Sequence, residues 1–165
     1  MRTLILAFAV VATPAVSCGI GEYEVFDCAI SGGKKQLRLC TTEQAAIYRF
    51  GKTGNAPELE LFAPIERFDY RPWNGIGRTL YEQVTFTNQS YGYTVYGVFD
   101  RLAEEGNADL EGGVIVTDAG AEIAHLTCDA GSVTARMDLF YELKTRAGQC
   151  WDIQNLLWTT DCPVD

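Results

Sequence analysis

From Tyr23 to Cys128 the chain is cut by turn residues roughly every 8–12 positions, and between the cuts apolar and polar side chains alternate. That period sends successive side chains to opposite faces of an extended strand, and no crossover helix interrupts the series. Short strands joined this closely pair antiparallel. The pattern predicts a mainly β chain: one antiparallel β-barrel or sandwich of about eight to ten strands, occupying residues 18–165 as a single domain.

The punctuation places the strands. Tyr23 to Cys28 and Lys35 to Cys40 flank Ser31-Gly32-Gly33-Lys34, and a turn centred on Gly32-Gly33 pairs Phe26 with Leu39 and Cys28 with Leu37. Ala45 to Phe50, Glu58 to Ala63 and Ile65 to Tyr70 follow. After a break at Arg71-Pro72-Trp73-Asn74-Gly75-Ile76-Gly77-Arg78, Leu80 to Thr87 pairs with Tyr91 to Phe99 through Asn88-Gln89-Ser90. Tyr91, Tyr93, Val95 and Phe99 share one face of their strand and read as core. Gly113 to Thr117 and Glu122 to Cys128 form a last hairpin across Asp118-Ala119-Gly120. One helix is predicted at about 134–147, capped by Ser132 or Thr134 and ended by Gly148. Leu139, Phe140, Leu143 and Ala147 line one side of it, and Glu142 with Arg146 makes a favourable i,i+4 pair. The remaining tail carries Cys150, Trp151, Trp158 and Cys162, so it is expected to be strapped down.

The first 17 residues read as an export signal. Arg2 supplies a positive start, Leu4 to Ala12 is an apolar run of nine, and Ala15 and Ser17 are small residues before a cut at Cys18. Nine apolar residues are too few to span a bilayer, which takes roughly 20. Removing this segment leaves a net charge of −10 and all six cysteines: Cys18, Cys28, Cys40, Cys128, Cys150 and Cys162. An even count after an export signal fits three disulfides in an oxidising periplasmic or extracellular compartment. A lipid anchor on Cys18 is the alternative, and it would leave an odd cysteine. The pairs first expected are Cys128–Cys150 around the helix, Cys18–Cys162 near the two termini, and Cys28–Cys40 by remainder. The hairpin register speaks against the last pair, because it puts Cys40 on the face opposite Cys28. No two cysteines are spaced as a tight ligand pair, so no metal site is expected.

Composition narrows the chemistry. Thirteen basic residues against 22 acidic ones, with pI ≈ 4.6, point away from nucleic acid. Gly75-Ile76-Gly77 lacks the third glycine and following helix of a dinucleotide loop, and no other cofactor motif appears. The sole histidine, His125, falls on the strand face opposite Ala124, Leu126 and Cys128. None of Ser31, Ser90 or Ser132 sits in a nucleophile-elbow sequence that could use it. Two irregular segments remain as candidate contact sites. The first is the loop with Arg71, Trp73 and Arg78, since Trp and Arg anchor interfaces more often than other residues. The second is the acidic stretch from Asp100 to Glu111, in which Glu104, Glu105 and Asp109 could grip a basic partner.

Several local sequences resemble a family of small exported bacterial proteins. They are Cys28, the Gly32-Gly33-Lys34-Lys35 turn, Leu37 to Cys40, Tyr48-Arg49-Phe50-Gly51, Pro57-Glu58-Leu59, Trp73 to Arg78, Gly112-Gly113-Val114 and Leu126 to Cys128. A more distant resemblance is to bacterial periplasmic lysozyme inhibitors, which are small disulfide-bearing antiparallel β proteins with an acidic surface. Their inhibitory loop carries Ser-Gly followed two residues later by Tyr. Here Ser31-Gly32 is followed by Gly33, Lys34 and Lys35, so no site residue is carried over. The expectation is a non-enzymatic binding or inhibitor module of the bacterial cell envelope with a basic protein such as a lysozyme as partner. An envelope polysaccharide hydrolase using a carboxylate pair, and a purely structural envelope protein, are the alternatives.

Overall fold

A computed structural model describes residues 18–102 and 110–163. The export segment and Glu104, Glu105 and Asp109 therefore lie outside the described residues. The chain forms β1 (Tyr23–Ile30), β2 (Lys35–Thr41), β3 (Ala45–Lys52), β4 (Leu59–Pro64), β5 (Asp69–Arg71), β6 (Thr79–Asn88) and β7 (Tyr91–Asp100). Then follow β8 (Glu111–Asp118), β9 (Ala121–Thr127), β10 (Thr134–Ala135), α1 (Asp138–Arg146), β11 (Cys150–Asp152) and β12 (Leu157–Thr159). Two five-stranded antiparallel sheets, ordered β10-β1-β2-β3-β4 and β5-β6-β7-β8-β9, face each other, and β11-β12 is a separate ribbon. Of the two architectures expected, the protein adopts the sandwich. At one corner the sheets touch: Ile30 bridges Cys128, and the Asp129 N–H donates to the Ala29 carbonyl at 2.8 Å.

The first hairpin has the register read from its glycines, with Phe26 opposite Leu39 and Cys28 opposite Leu37. Ser31, Gly32 and Gly33 all take positive φ (60°, 67° and 77°), and the Asp129 carboxylate accepts the Gly32 and Gly33 N–H groups at 3.0 and 2.7 Å. A side-chain acceptor thus holds a left-handed serine that would be unfavourable alone. Inward residues of both sheets make one core: Phe26, Leu37, Leu39 and Tyr48 meet Val84, Phe86, Val95 and Val114. Tyr48 joins the layers, with its ring centroid 5.6 Å from both Phe86 and Tyr93. The Tyr91 end of the β7 stripe is 38% exposed and Phe99 lines an open cavity, so that stripe is core only at Tyr93 and Val95.

On the outer face of the first sheet, Asp27, Arg38, Arg49 and Glu60 stand side by side across four strands. The two adjacent guanidinium groups are each neutralised: Arg38 Nε donates to Asp27 at 2.8 Å, and Arg49 Nε to Glu60 at 2.6 Å. The segment before β1 crosses this face, and Glu22 takes both remaining Arg49 nitrogens at 2.5 and 2.9 Å. That guanidinium holds the Glu22 carboxyl below its ordinary range.

Three expectations need correction. Ile65 to Tyr70 is not one strand. The Pro64 carbonyl accepts N–H groups from both Arg67 and Phe68 at 3.0 Å, and the resulting turn leaves only Asp69–Arg71 as β5. It also lets Ile65, Phe68 and Tyr70 all enter the core. The helix is shorter than 134–147, because Thr134 and Ala135 pair with Asp27 and Phe26 of β1 instead. Ser132 is consequently no helix cap; its hydroxyl donates to the Asp129 carbonyl at 2.6 Å. The C-terminal end matches expectation, with Gly148 at φ 80° and Arg146 bonded to Glu142 at 3.0 Å. Finally, the disulfides are Cys18–Cys40, Cys28–Cys128 and Cys150–Cys162, and none of the three pairs first expected forms. Cys28 points inward and meets the end of β9 at the corner between sheets. Cys40, outward, meets the crossing N-terminal segment. Three disulfides in a chain this small fit an oxidising compartment.

Helix α1 covers the open end of the core through Phe140, which packs on Phe68 at 4.8 Å and Tyr70 at 5.8 Å. Beside it Lys144 is buried, its ammonium 4.8 Å from the Phe68 ring centroid and 5.3 Å from that of Trp158. Burial pushes its pKa down to about 8, against the opposing pull of Asp69 and Glu66. Above that value the unfolded chain still holds a proton that the folded chain has released, so stability should rise with pH. We expect a gain on the order of 1–3 kcal/mol between pH of about 7.5 and 9.5, and a flatter profile for Lys144→Met. Urea unfolding at the two pH values measures it; equal slopes for the two proteins would assign the rise elsewhere.

Candidate functional site: the Trp73 groove

The break between β5 and β6 forms a self-braced loop. Asn74 Oδ1 accepts the Ile76 N–H at 3.0 Å, and the Trp73 indole donates to the Ile76 carbonyl at 3.2 Å. Gly75 and Gly77 have φ of 79° and 88°, which a side chain would disfavour. Two arginines fasten the loop to the end of β7. Arg78 grips the Asp100 carboxylate with Nε at 2.9 Å and with Nη2, and Arg101 lays its guanidinium 4.7 Å from the Trp73 ring centroid. The Arg78 hydrogen bonds in turn hold the Asp100 carboxyl below its usual range, helped by the Leu102 N–H. Of the two arginines singled out in sequence, Arg78 is therefore a brace. Arg71 is freer, with Asp69 at 3.8 Å, and it lines the groove together with Trp73.

The groove has a volume of about 400 Å³. Its floor is the outward row of β6, Tyr81 and Gln83, whose side chains bond each other at 3.0 Å. Its far wall is Trp151 and Leu156 of the β11-β12 ribbon. The Cys150–Cys162 disulfide closes that ribbon, and the Trp158 indole fixes it by donating to the Tyr70 carbonyl at 2.7 Å. Sequence reasoning missed Trp151, taking both tail tryptophans as strapping. Trp158 makes the hydrogen bond that fixes the tail, and Trp151 packs on it at 5.6 Å while lining the groove.

Aromatic surface continues beyond the groove. The Tyr81 ring stacks on Tyr96 at 6.2 Å, and the Tyr96 hydroxyl meets His125 Nε2 at 2.8 Å across Gly113. His125 thus faces outward as its strand position implied, with a tyrosine as partner in place of a serine. All six cysteines are in disulfides, and the Cys18, Glu22 and Cys40 cluster offers a cation nothing, since both sulfurs are bridged and Glu22 serves Arg49. The wider cleft of about 680 Å³ between α1 and the β1-β2 edge is lined by Tyr23, Glu43 and Arg136 together with the paired Glu142 and Arg146.

Among the described residues one acid behaves unlike the rest. Glu82 lies on the inward row of β6, between Leu80 and Val84, and accepts the Tyr70 hydroxyl at 2.5 Å. Burial pushes its carboxyl up, the Tyr70 bond opposes this, and the charge of Asp138 adds to it. The signal for it was present in the sequence, as a carboxylate interrupting the apolar positions of an alternating strand. In comparisons with protein-family models, curated proteins and solved structures, nothing matches this chain.

Proposed function

We propose that this protein is a non-enzymatic binding module of the bacterial cell envelope, exported, and that it takes a basic protein as partner, lysozymes among the candidates. The groove walled by Trp73, Tyr81 and Trp151 carries this reading. Large aromatic surfaces braced in advance lose little entropy on binding, and such residues dominate interface energies. A net charge of −10 without the export segment favours basic partners and accelerates their approach. The Cys18–Cys40 bridge favours the soluble form, since acylating Cys18 would leave Cys40 unpaired. Mass spectrometry of the exported protein should find residues 1–17 absent and every thiol oxidised. A hydrolase would need two free acids facing one cleft; in the wide cleft Glu24 and Glu142 are held by Arg38 and Arg146, which leaves Glu43, and Glu82 lines its cavity as the sole acid.

An affinity pull-down from envelope extract, with lysozymes added, identifies the partner. Kinetics with that partner then test the site. Trp73→Ala should leave the association rate nearly unchanged and speed dissociation about thirtyfold, the equivalent of ~2 kcal/mol. Neutralising Glu104, Glu105 and Asp109 together should lower the association rate and flatten its salt dependence. If Trp73→Ala lowers the melting temperature while a bound partner leaves at the old rate, the loop is scaffold. Peptidoglycan hydrolysis lost on replacing a single acid would favour the enzyme reading instead.

A further inference from the structure

Glu82 lines a second cavity, of about 240 Å³, on the inward side of β6, whereas the Trp73 groove lies on the outward side; its other walls include Leu80, Phe99, Leu110, Ala135 and Met137. Every one of those wall residues is apolar. Among the described residues the carboxylate receives one hydrogen bond, from the neutral Tyr70 hydroxyl at 2.5 Å. No Lys, Arg or His among the described residues forms an ion pair with it, and the charge that acts on it from nearby, Asp138, is negative. Glu82 is half-buried, and a carboxylate drawn partly out of water is costly unless a cation and further donors compensate it. Here the missing compensation faces an open space.

The neighbour of Glu82 across the strand pair is Gly97. Its backbone is ordinary, and a Cβ there would meet Met137 Cε at 3.7 Å and Ala135 Cβ at 3.8 Å, both normal contacts. Neither dihedral strain nor packing therefore demands glycine at this position. Gly97 lines the cavity beside Glu82 and adds no side chain of its own there. A glycine inside a strand commonly marks a place where something else approaches closely.

We propose that this cavity binds a primary ammonium group carried on a short apolar chain, with the ammonium paired to Glu82 and the chain laid against Leu80, Phe99 and Met137. The ammonium would supply the opposite charge and donors that the carboxylate lacks, and the chain would displace water from an apolar wall. Neither the groove nor its partner is involved, so the two readings stand or fall separately.

The test uses the oxidised protein with n-hexylamine, n-hexanol and hexanoate, followed by thermal shift and by nuclear Overhauser contacts to the Met137 methyl. Hexylamine should stabilise the protein and contact Met137; hexanol should bind at least about tenfold more weakly, and hexanoate not at all. Glu82→Gln keeps the shape and should weaken hexylamine about tenfold or more. Tyr70→Phe removes the donor that the described residues give the carboxylate and should leave hexylamine binding intact or tighter. Equal binding of amine and alcohol, indifference to Glu82→Gln, or no amine binding at millimolar concentration would each overturn the proposal. The comparison of three ligands on the unaltered protein decides the matter even if a variant fails to fold.

Discussion

Replacing Cys28 and Cys128 together by alanine should cost about 4–5 kcal/mol, more than removing either other disulfide. This bridge closes a span of 100 residues, against 22 for Cys18–Cys40 and 12 for Cys150–Cys162. A cross-link removes more freedom from the unfolded chain as the loop it closes grows; the shorter two are worth roughly 3 kcal/mol each on the same argument. Position adds to length. Cys28 is fully buried among the inward residues of β1, and its bond to Cys128 ties the first sheet to the second at the corner where Ile30–Cys128 pairing and the Asp129 hydrogen bonds also join them. Guanidinium unfolding of the three double variants measures the order. A Cys28/Cys128 variant no weaker than the Cys150/Cys162 variant would mean that the folded corner is held by hydrogen bonding and packing alone.

The second large effect is expected at a glycine. Gly113→Ala should destabilise the protein by about 3 kcal/mol or more, and Gly112→Ala by a similar amount. A Cβ on Gly113 would lie 2.3 Å from the Leu126 carbonyl oxygen and 2.8 Å from the Tyr96 hydroxyl. One on Gly112 would lie 2.8 Å from Phe26 Cζ and 2.9 Å from the Tyr96 carbonyl oxygen. Backbone oxygens of paired strands cannot retreat without opening the β7-β8 or β8-β9 ladder. Gly92→Ala is the control, because its nearest obstacle is the Thr117 hydroxyl at 2.6 Å, on a side chain that can rotate. That change should cost under ~1 kcal/mol. Gly113→Ala should also separate Tyr96 from His125, visible as shifts of both rings in proton spectra. Three equal melting temperatures would show that the sheet yields more easily than its ladders imply.

The hairpins are legible in the sequence because their determinants are local. Gly32-Gly33 sets the β1-β2 register, Asn88-Gln89-Ser90 and Asp118-Ala119-Gly120 turn the next pairs, and alternation says which side chains go in. Where two local signals compete, nearby backbone bonding decides. Pro64 begins a turn where alternation promises a strand, and Thr134 joins β1 where a helix start is expected.

The candidate site is half legible. Trp73 and Arg71 belong to one loop, and residue type alone marks them. Trp151 comes from a ribbon far along the chain, placed beside β6 by the Trp158–Tyr70 bond and by Tyr70 stacking on Trp158 at 6.0 Å. Arg78 looks equivalent to Arg71 until Asp100, beside it at the open end of the β6-β7 pair, claims it.

By itself, then, the sequence determined most strand periods, the hairpin turns, the register of the first hairpin, the helix C-terminus and the count of cysteines for three bridges. Those depend on contacts a few residues apart, where the covalent chain leaves few choices. Only the tertiary structure decided which cysteines pair, that two sheets stop short of a barrel, which arginine remains available, and that Glu82 sits half-buried at an apolar cavity. Each of these depends on how one sheet twists over the other, and that geometry comes from the whole core packing at once.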